Sequence, residues 1–568
     1  MEIQKHFRKK IPSGKAYLDR LQRELQLISK FGFEDSFLQV QEILDLVPEY
    51  RFITRGSAGC SLVGYLMGFH NMDPIEHNFI LSRFMHENRP DKPDVDLDFA
   101  YNQRDCVLER VFKKYPNRVA RISNHVLYRH KSALRQSLRE HGVNRFIPKY
   151  YDLDQLAGNR KDSVAKKAGE ILGSFKNYSL HCGGIVIFPD AIPEHLKLND
   201  YQIKLNKDEI ENHGYFKIDL LCNRALAQIN DLSDRPLEDY PEYDQQTSEM
   251  LCSGHAWGVT FAESPAQRQL HQKVQPQCRS DVVFSLALIR PAPSADGRKN
   301  IAIEKFHENR ISRGNMIYDD DGIVFIQKLL NCSESEAELY RKAFAKKNQV
   351  KIAEFESRLG NHPDKVSILR ELGYYSLYSF CHAHAMSYGY LVWALAYEKT
   401  RQPHKFWCSA LNHAQSMYRP WVHVQEAKLV GLQFAYFGKG PWKLENGFLY
   451  PSVCEPQTNG WTQYLKRGYW ISNRFMPDMY FRRLNNKVYF KGLIAAGRHH
   501  GKDKIITFVT IGTDIGKYHD LVLDGDYEFD KFDIVEGCGE MNNGSILVNK
   551  FVFHKIEKQN KQLFLFER

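Results

Sequence analysis

The sequence predicts an α+β multidomain protein, and three observations support this fold class. The 568 residues are enough for more than one hydrophobic core. Leu18, Leu21, Leu25 and Ile28 recur at helical spacing, which predicts an amphipathic helix near the start of the chain. From about residue 486 the pattern changes to short alternating runs separated by Gly, Asp and Asn, which predicts a β-rich C-terminal domain.

A short acidic segment, residues 93–99 (PDVDLDF), is predicted to form a β-strand. Because side chains alternate along a strand, Asp94, Asp96 and Asp98 are expected on one face and the apolar residues between them on the other. Carboxylates on one face repel each other unless a cation joins them, and Mg²⁺ prefers oxygen ligands together with substrate phosphates. Two adjacent ions of this kind clamp the oxygens of a phosphoryl transfer. The alternative is an acidic edge strand or hinge.

A glycine-rich turn precedes this strand, at residues 54–62 (TRGSAGCSL). Its small residues let backbone N–H groups approach a phosphate closely, while Arg55 and Ser57 add a fixed cation and a hydroxyl. The apolar run from Leu62 predicts a helix whose positive end points toward that phosphate. The alternative is a turn with a purely structural role.

Another carboxylate lies in a short apolar strand, residues 216–221 (FKIDLL). A buried acid is costly unless it is paired or bound to a metal, so Asp219 is a candidate ligand. The alternative is a salt bridge with Lys217 or with an arginine.

These motifs occur in a longer series that resembles one protein family. RGSAGCSLVGYLMG, MDPIEHNFILSRFM, PDVDLDF and FKIDLLCNRAL follow one another as in the α subunit of bacterial DNA polymerase III, a C-family polymerase. The resemblance continues through residues 181–190, 258–293, 316–348 and 380–407, so that it covers roughly residues 15–410 in colinear order. It implies a nucleotidyltransferase-type (polymerase β-like) palm with a helical thumb and fingers, followed by a C-terminal OB-fold β-barrel.

The resemblance also implies a reaction. Asp94, Asp96 and Asp219 match the catalytic and metal-binding carboxylates of the family, while Asp98 lies outside that trio. The implied enzyme is a DNA-directed DNA polymerase, in which a primer 3′-hydroxyl attacks the α-phosphate of a dNTP and pyrophosphate leaves. Two Mg²⁺ ions are the implied cofactor, one for the 3′-hydroxyl and one for the triphosphate. Positioning and charge stabilisation dominate such chemistry.

Further residues match nucleotide-binding positions of the family. Arg55, Gly56 and Ser57 match its phosphate-holding turn, and His384 matches a histidine near the incoming sugar that can exclude a 2′-hydroxyl. Basic positions expected near the triphosphate are Arg290, Arg341, Lys342, Lys346 and Lys347. For the last four, the alternative is a solvated helix face.

Three positions depart from the family pattern. His382 and Leu180 stand where the family usually has a lysine, and Ala292 replaces a glycine. Each change removes a charge or a degree of backbone freedom near the nucleotide. The complete carboxylate trio nevertheless argues against an inactive descendant.

The resemblance and the local patterns together predict a domain organisation. The aromatic-rich segment before the C-terminal strands either stacks on unpaired template bases or packs in a core. The OB-fold is expected to hold single-stranded template. The predicted limits are palm 1–120 and 179–235, thumb 121–178, fingers 236–410, fingers extension or connector 411–485, OB-fold 486–556 and tail 557–568.

Charge and cysteine usage fit a DNA-binding protein of the cytoplasm. The formal net charge is +10 and the pI about 8.8, which favours a polyanionic partner, here primed DNA template and dNTPs. Basic residues are concentrated in 104–140, where a thumb would follow the duplex backbone. Eleven cysteines without a CxxC pair argue against a zinc ribbon and suit reduced thiols. We expect no membrane association, because no signal peptide or long apolar segment is evident.

The end of the chain resembles the short peptide by which bacterial polymerases bind the sliding clamp. Its matching residues are Gln562, Leu563, Leu565 and Phe566, in which apolar anchors fill a pocket while the polar residue sets the register. The alternative is a last β-strand of the barrel.

The sequence shows neither the metal-binding PHP domain that normally precedes the palm nor the C-terminal domain that contacts the clamp loader. The expectation is a polymerase without intrinsic proofreading, in the replication of a phage or mobile element, whose replisome and proofreading partners are unknown. A translesion or repair polymerase is one alternative. Another is a non-catalytic DNA- and clamp-binding accessory derived from a polymerase.

Overall fold

The computed structural model describes residues 2–88, 92–143, 160–309, 316–413, 417–434, 441–450, 479–501, 505–514, 516–529, 533–542 and 544–554. Its first domain is built on a seven-stranded sheet, here called the palm sheet, with strands β1 Phe52–Arg55, β2 Val95–Ala100, β3 Val119–Leu127, β4 Phe175–Ile187, β5 Lys197–Asn199, β6 Gln202–Ile203 and β7 Lys217–Asn223. The strand order is β1-β2-β7-β4-β3-β6-β5. The β2–β7 and β3–β6 pairs are parallel and the others antiparallel.

The helices that accompany the palm sheet are α1 Lys15–Phe31, α2 Glu34–Asp45, α3 Leu62–Met67, α4 Arg104–Lys114, α5 His130–Glu140, α6 Arg160–Ile171, α7 Lys207–Asn212 and α8 Arg224–Asn230. The predicted N-terminal amphipathic helix is α1, and Leu21, Leu25 and Ile28 are buried. Leu18 is 58% exposed, so its inclusion in the apolar face was wrong. It lies in the first turn of α1, where the neighbouring Tyr17 packs against the core instead.

The N-terminus of α3 does not point at an open phosphate site, which corrects the expectation for the helix after the glycine-rich turn. Buried Glu24 of α1 accepts hydrogen bonds from the backbone N–H groups of Leu62 (2.8 Å) and Val63 (3.0 Å) and from the Ser61 hydroxyl (2.7 Å). Arg20 pairs with the same carboxylate at 2.7 Å. The free donors of the helix end are therefore satisfied inside the protein.

In the segment predicted as the thumb, the described residues, 121–143 and 160–178, include two helices between two strands of the sheet. Both α5 and α6 lie there, as expected for a helical segment. However, β3 runs on to Leu127 and β4 begins at Phe175, so strands of the palm sheet cross both predicted limits, 121 and 178. Strand pairing between Ser123–Leu127 and Phe175–Leu180 extends the sheet into this segment.

Twelve helices of the described residues follow the palm sheet: α9 Gln245–Cys252, α10 Pro265–Val274, α11 Arg279–Leu288, α12 Pro291–Ser294, α13 Arg298–Asn309, α14 Asp319–Leu330, α15 Glu334–Lys346, α16 Gln349–Leu359, α17 Lys365–Gly373, α18 His382–Arg401, α19 Pro403–Asn412 and α20 Pro420–Leu429. The central one, α18, is buried along most of its length. Ser387 on α18 donates to the Thr54 carbonyl of β1 at 2.7 Å, so this helix ties the fingers to the palm sheet. A Cβ at Gly389 would lie 2.4 Å from Val283 Cγ2, so the close contact of α18 with α11 requires glycine.

Between α10 and α11, the buried histidine His271 is held neutral by its surroundings. The Gln267 amide nitrogen lies 3.1 Å from its Nε2, and the Ser285 hydroxyl, 3.0 Å away, donates to the Val282 carbonyl. Burial lowers the pKa of His271 to about 4. The folded state therefore resists protonation where an unfolded histidine accepts a proton.

This difference predicts an acid-sensitive contribution to stability. A histidine in the unfolded chain titrates near pH 6.5, so lowering the pH from 7 to 5 protonates the unfolded state but hardly the folded one. The free energy of unfolding of the wild type should fall by about 2 kcal/mol more than that of His271→Met over this range. Urea unfolding at both pH values measures this, with His195→Met, an exposed histidine, as the control that keeps the wild-type dependence. Equal losses in wild type and His271→Met would contradict it.

The connector contains a small sheet, with β8 Gln433–Phe434, β9 Lys443–Glu445 and β10 Phe448–Tyr450. Trp421 and Trp442 are 0% and 2% exposed, so for these two residues the packed-core interpretation is confirmed. Trp461 and Trp470 lie outside the described residues.

The C-terminal domain is a closed five-stranded barrel with one added strand. Its strands are β11 Tyr480–Leu484, β12 Lys487–His500, β13 Ile506–Asp514, β14 Lys517–Asp524, β15 Ile534–Asn542 and β16 Ser545–His554. Antiparallel pairs join β12, β13 and β14, β14 pairs in parallel with β16, and β15 pairs with both β16 and β12 to close the barrel. This closure is consistent with the expected OB fold. Alternation of apolar residues does not reveal β15, because Gly537 and Gly539 interrupt it where the carbonyls of β16 approach too closely for a Cβ.

The barrel packs on the fingers. The Tyr518 ring lies 4.4 Å from Trp257, and Gln269 of α10 donates to Asp520 at 3.0 Å. Within the described residues, every cysteine is a free thiol, and none of the helices is long and apolar enough to cross a bilayer.

Candidate active site

Four strands of the palm sheet place one row of residues side by side. Arg55 on β1 is opposite Asp96 on β2, Asp96 is level with Asp219 on β7, and Asp219 is opposite Gly184 on β4. Residues paired in register on neighbouring strands point to the same face. The parallel pairing of β2 with β7 therefore brings together two carboxylates that are far apart in the sequence.

The three predicted carboxylates lie at the edge between solvent and core. Asp94 directly precedes β2, and the side chains of Asp94, Asp96 and Asp219 are 39%, 27% and 12% exposed. Asp219 Oδ1 is buried and has no hydrogen-bond partner. Three hard oxygen donors, one of them with an unsatisfied oxygen, fit a divalent cation such as Mg²⁺. Among the described residues, no group of three or more Asp, Glu, His or Cys side chains is arranged closely enough to hold a metal ion without rearrangement.

Lys217 explains why the carboxylates do not converge. Its Nζ lies 2.7 Å from Asp219 Oδ2 and 3.2 Å from Asp94 Oδ1, so an ammonium group stands between the two acids. Burial alone would lower the pKa of Lys217, but the carboxylates of Asp219 and Asp94 outweigh it and raise the pKa. The salt bridge considered as the alternative for Asp219 is thus present. Sequence reasoning missed Lys217 as a site residue, although strand alternation places it on the same face as Asp219.

The charges of the site are unequal. Burial, followed by repulsion from Asp219, raises the pKa of Asp96 to about 7. Burial opposes ionisation of Asp94 as well, but Lys217 and Lys207 lower its pKa below the usual value. The positive groups of the protein therefore do not fully compensate a negative charge on Asp96. A bound divalent cation would supply this compensation.

His181 is a second residue that sequence reasoning did not select. Its Nδ1 lies 3.6 Å from Asp219 Oδ1, but the same nitrogen accepts a hydrogen bond from the Gly184 N–H at 2.8 Å. A nitrogen that accepts a hydrogen bond carries no proton, so this contact is not an ion pair. Burial also lowers the pKa of His181, in agreement with a neutral ring.

Arg55 connects the carboxylates to the fingers. Its Nε lies 3.6 Å from Asp96 Oδ2 and 3.4 Å from Asp98 Oδ1, and its Nη1 donates to the Tyr388 hydroxyl at 3.1 Å. Tyr388 in turn donates to Asp98 Oδ2 at 3.0 Å, and Asn223 donates to the same oxygen at 2.9 Å. Asp98 is buried and engaged in this network, whereas its neighbours in the acidic strand face the cleft. Tyr388 was not predicted from the sequence.

The glycine-rich turn lies directly beside the carboxylates. Gly56 has φ +74°, and a Cβ at this position would stand 3.5 Å from Asp96 Oδ2. Glycine is thus favoured by the left-handed backbone, while the 3.5 Å distance to Asp96 is an ordinary van der Waals contact. Ser57 follows in a short 3-10 helix, Gly56–Cys60, and is half-buried.

Two more predicted residues lie on the fingers side of this site. The Arg290 guanidinium lies 3.9 Å above the Phe380 ring, which stacks on His384 at 4.1 Å. His384 meets Tyr388 edge-on at 4.9 Å. Burial, followed by the charges of Arg55 and Arg290, lowers the pKa of His384 to about 3, so its ring is neutral at physiological pH. Two aromatic rings therefore link these residues: Tyr388 lies between Arg55 and His384, and Phe380 lies between His384 and Arg290.

The basic residues of α15 have other environments. Arg341 is buried and donates two hydrogen bonds to Glu338, at 2.6 and 2.8 Å, and lies 3.6 Å from Asp319. Lys342 is half-buried, and Lys346 and Lys347 are exposed at the end of the helix. At one departure from the family pattern, His382, the ring packs against Phe79 and Tyr318. The four predicted clamp-binding residues lie outside the described part of the chain: Gln562, Leu563, Leu565 and Phe566.

Two protein families match the chain. Residues 1–222 match the bacterial DNA polymerase III alpha NTPase domain, and residues 221–365 match the bacterial DNA polymerase III alpha subunit finger domain. The boundary between the two matches falls at the end of β7, shortly after Asp219, the last of the three carboxylates.

Curated relatives match a longer part of the chain. The DNA polymerase III subunit alpha of Aquifex aeolicus is 26% identical over 76% of this chain and 45% of its own length. The error-prone DNA polymerase of Bdellovibrio bacteriovorus is 26% identical over 74% of the chain and 45% of its own length. The DNA polymerase III subunit alpha of Ureaplasma parvum is 26% identical over 75% and 50%. The chain thus spans about half the length of these relatives.

Proposed function

We propose that the chain, which matches the NTPase and finger domains of bacterial DNA polymerase III alpha, is a DNA-directed DNA polymerase. The observation that carries this proposal is the register of β2 and β7, which sets Asp96 level with Asp219, with Asp94 one residue before β2. Three carboxylates beside a glycine turn with an arginine suit nucleotidyl transfer, because both metal ions and phosphates find their partners within one cleft.

In the proposed reaction, the primer 3′-hydroxyl attacks the α-phosphate of a dNTP and pyrophosphate leaves. Asp94, Asp96 and Asp219 would hold two Mg²⁺ ions, which supply Lewis-acid activation of the hydroxyl and neutralise triphosphate charge. Arg55 and the backbone at Gly56 and Ser57 are proposed to bind phosphate oxygens.

Residues around this centre have supporting roles in the proposal. Lys217 is proposed to hold Asp94 and Asp219 apart until substrate arrives, because its buried ammonium contacts both carboxylates. His384, held neutral, is proposed to lie against the sugar of the incoming nucleotide. A neutral ring suits that place because it supplies shape without competing for the phosphates.

Primer extension tests the proposal. The wild-type chain is incubated with a primed DNA template, dNTPs and Mg²⁺, and extension products are separated by length. We expect template-directed extension that stops when the divalent cation is chelated. If the chain binds the primed template but adds no nucleotide, with or without a bacterial sliding clamp, the polymerase proposal fails and the accessory interpretation is favoured.

The relatives that match the chain carry two different polymerase names. A relative named DNA polymerase III subunit alpha and one named error-prone DNA polymerase match the chain at the same 26% identity. The proposal is therefore made for the reaction. Clamp binding by the C-terminal residues, the absence of proofreading and a phage or mobile-element role stay predictions from the sequence.

A further inference from the structure

Phe261 occupies a backbone conformation that aromatic residues rarely adopt. Its φ is +72°, in the left-handed region, and it lies in the turn before α10. A bulky side chain in this region is strained, because its Cβ approaches the following carbonyl oxygen. Such strain persists only where the surroundings impose it, and it is concentrated at functional sites.

The contacts on both sides of Phe261 impose this conformation. The backbone N–H groups of Ala262 and Glu263 both donate to the Val259 carbonyl at 3.0 Å. The Thr260 hydroxyl donates to Gln228 Oε1 at 2.9 Å. Buried Glu263 accepts from the Gly258 N–H at 3.1 Å and pairs with Arg224 at 3.2 Å. The turn is therefore fixed, and the direction of the ring of Phe261 is fixed with it.

The turn directs the ring toward the candidate active site instead of into the core. Phe261 is 38% exposed, and one face of its ring stacks on Tyr388 at 4.7 Å and 23°. The Tyr388 hydroxyl forms hydrogen bonds with Arg55 and Asp98. Tyr388 is therefore the residue that links the Phe261 ring to Arg55, the arginine beside the carboxylates. Phe261 also lines a cavity of about 410 Å³ between the fingers and the barrel.

The cavity offers a second feature suited to a nucleotide. Arg290 lines it together with Phe261, and Arg290 Nε is buried without a hydrogen-bond partner. Arg498 of the barrel also lines the cavity. Aromatic faces stack on nucleobases of any identity, and guanidinium groups bind phosphates or stack on bases.

We propose that the ring of Phe261 is a stacking platform for a nucleobase of the pair formed at the carboxylates, and that Phe261 is thereby a specificity-determining residue. This inference rests on the proposed polymerase function. Tyr388 covers one face of the ring and anchors it to the site, and the remaining edge and face are left to a base. Where base pairing is absent, the platform favours the nucleotide with the larger base, because stacking grows with ring area.

The variant Phe261→Gly tests the stacking role of the ring independently of the stability of the fold. Glycine adopts a positive φ without strain, which offsets part of the packing lost with the ring, so this variant is expected to stay folded. With a primed template, the KM for dNTP is expected to rise by about ten- to one-hundred-fold, the loss that corresponds to one base–aromatic stack. Opposite an abasic template position, the preference of the wild type for purine over pyrimidine nucleotides is expected to disappear.

Two further variants complete the test. Phe261→Trp restores a stacking surface and is expected to return both the KM and the purine preference toward wild type. Gln275→Gly relieves a left-handed residue at the end of α10 and serves as the control for strain relief alone, with an unchanged KM. If the wild type extends primers normally and Phe261→Gly keeps the same KM and purine preference, the stacking proposal fails while the polymerase proposal stands. No extension by the wild type overturns the proposed function itself.

Discussion

Replacing Asp219 by asparagine is expected to lower the rate of primer extension on the order of 10³-fold, since the change removes a charged metal ligand while keeping its shape. Asp219 supplies the buried Oδ1 that lacks a hydrogen-bond partner, and it stands level with Asp96 in the sheet. Asparagine fills the same space, so binding of primed DNA should stay within about twofold. Single-turnover extension and fluorescence anisotropy with labelled primer–template measure the two quantities.

The matched control for this substitution is Asp105→Asn on α4. Its side chain is 82% exposed, so the same loss of a charge should leave extension within about twofold of wild type. Thermal unfolding of both variants separates loss of chemistry from loss of structure. If Asp219→Asn were folded and extended primers at the wild-type rate, Asp219 would not be part of the reacting centre.

The second large effect is expected on stability. Arg341→Met should lower the free energy of unfolding by about 3–5 kcal/mol, because it leaves the buried Glu338 carboxylate without its hydrogen-bonded cation, while Asp319 keeps Arg83 at 2.9 Å. Arg341 donates twice to Glu338 and lies 3.6 Å from Asp319, and Glu338 is 3% exposed. Denaturant unfolding measures this loss. The effect distinguishes a structural role from the nucleotide-binding role that the sequence predicts.

The two exposed lysines at the end of the same helix provide the comparison. Lys346→Ala and Lys347→Ala should change stability by no more than about 0.5 kcal/mol, as is usual for surface positions. If either lysine variant raises the KM for dNTP while Arg341→Met does not, the lysines bind the triphosphate and Arg341 does not. A folded Arg341→Met with wild-type stability and a raised KM would contradict the structural role.

Much of the fold was predictable because its signals are local. Alternation in residues 93–99 identified β2, and the apolar residues Val95, Leu97 and Phe99 are all buried. Helical spacing identified α1, although Leu18 shows that spacing alone does not reveal where the neighbouring surface ends. The strand β15 could not be found in this way, since Gly537 and Gly539 make room for a neighbouring strand and leave no apolar pattern.

The site was predictable only in part. The resemblance selected Asp94, Asp96 and Asp219, and the structure brings Asp96 and Asp219 into register. Lys217 was treated only as a neutralising partner, yet its ammonium touches two of the three acids. Tyr388 joins the site through contacts with residues far away in the chain, for which the sequence contains no local signal.

The hydrogen bond from Asn223 to Asp98 joins β7 to β2 across 125 residues of sequence. During synthesis at about 5–20 residues per second, β2 emerges from the ribosome roughly 6–25 seconds before the strand that completes it. Until then, one edge of a nascent, acidic strand has no partner and is open to pairing with other chains. A fragment that ends before residue 223 keeps that open edge permanently, so the shortest autonomously folding N-terminal unit of this protein must extend through β7.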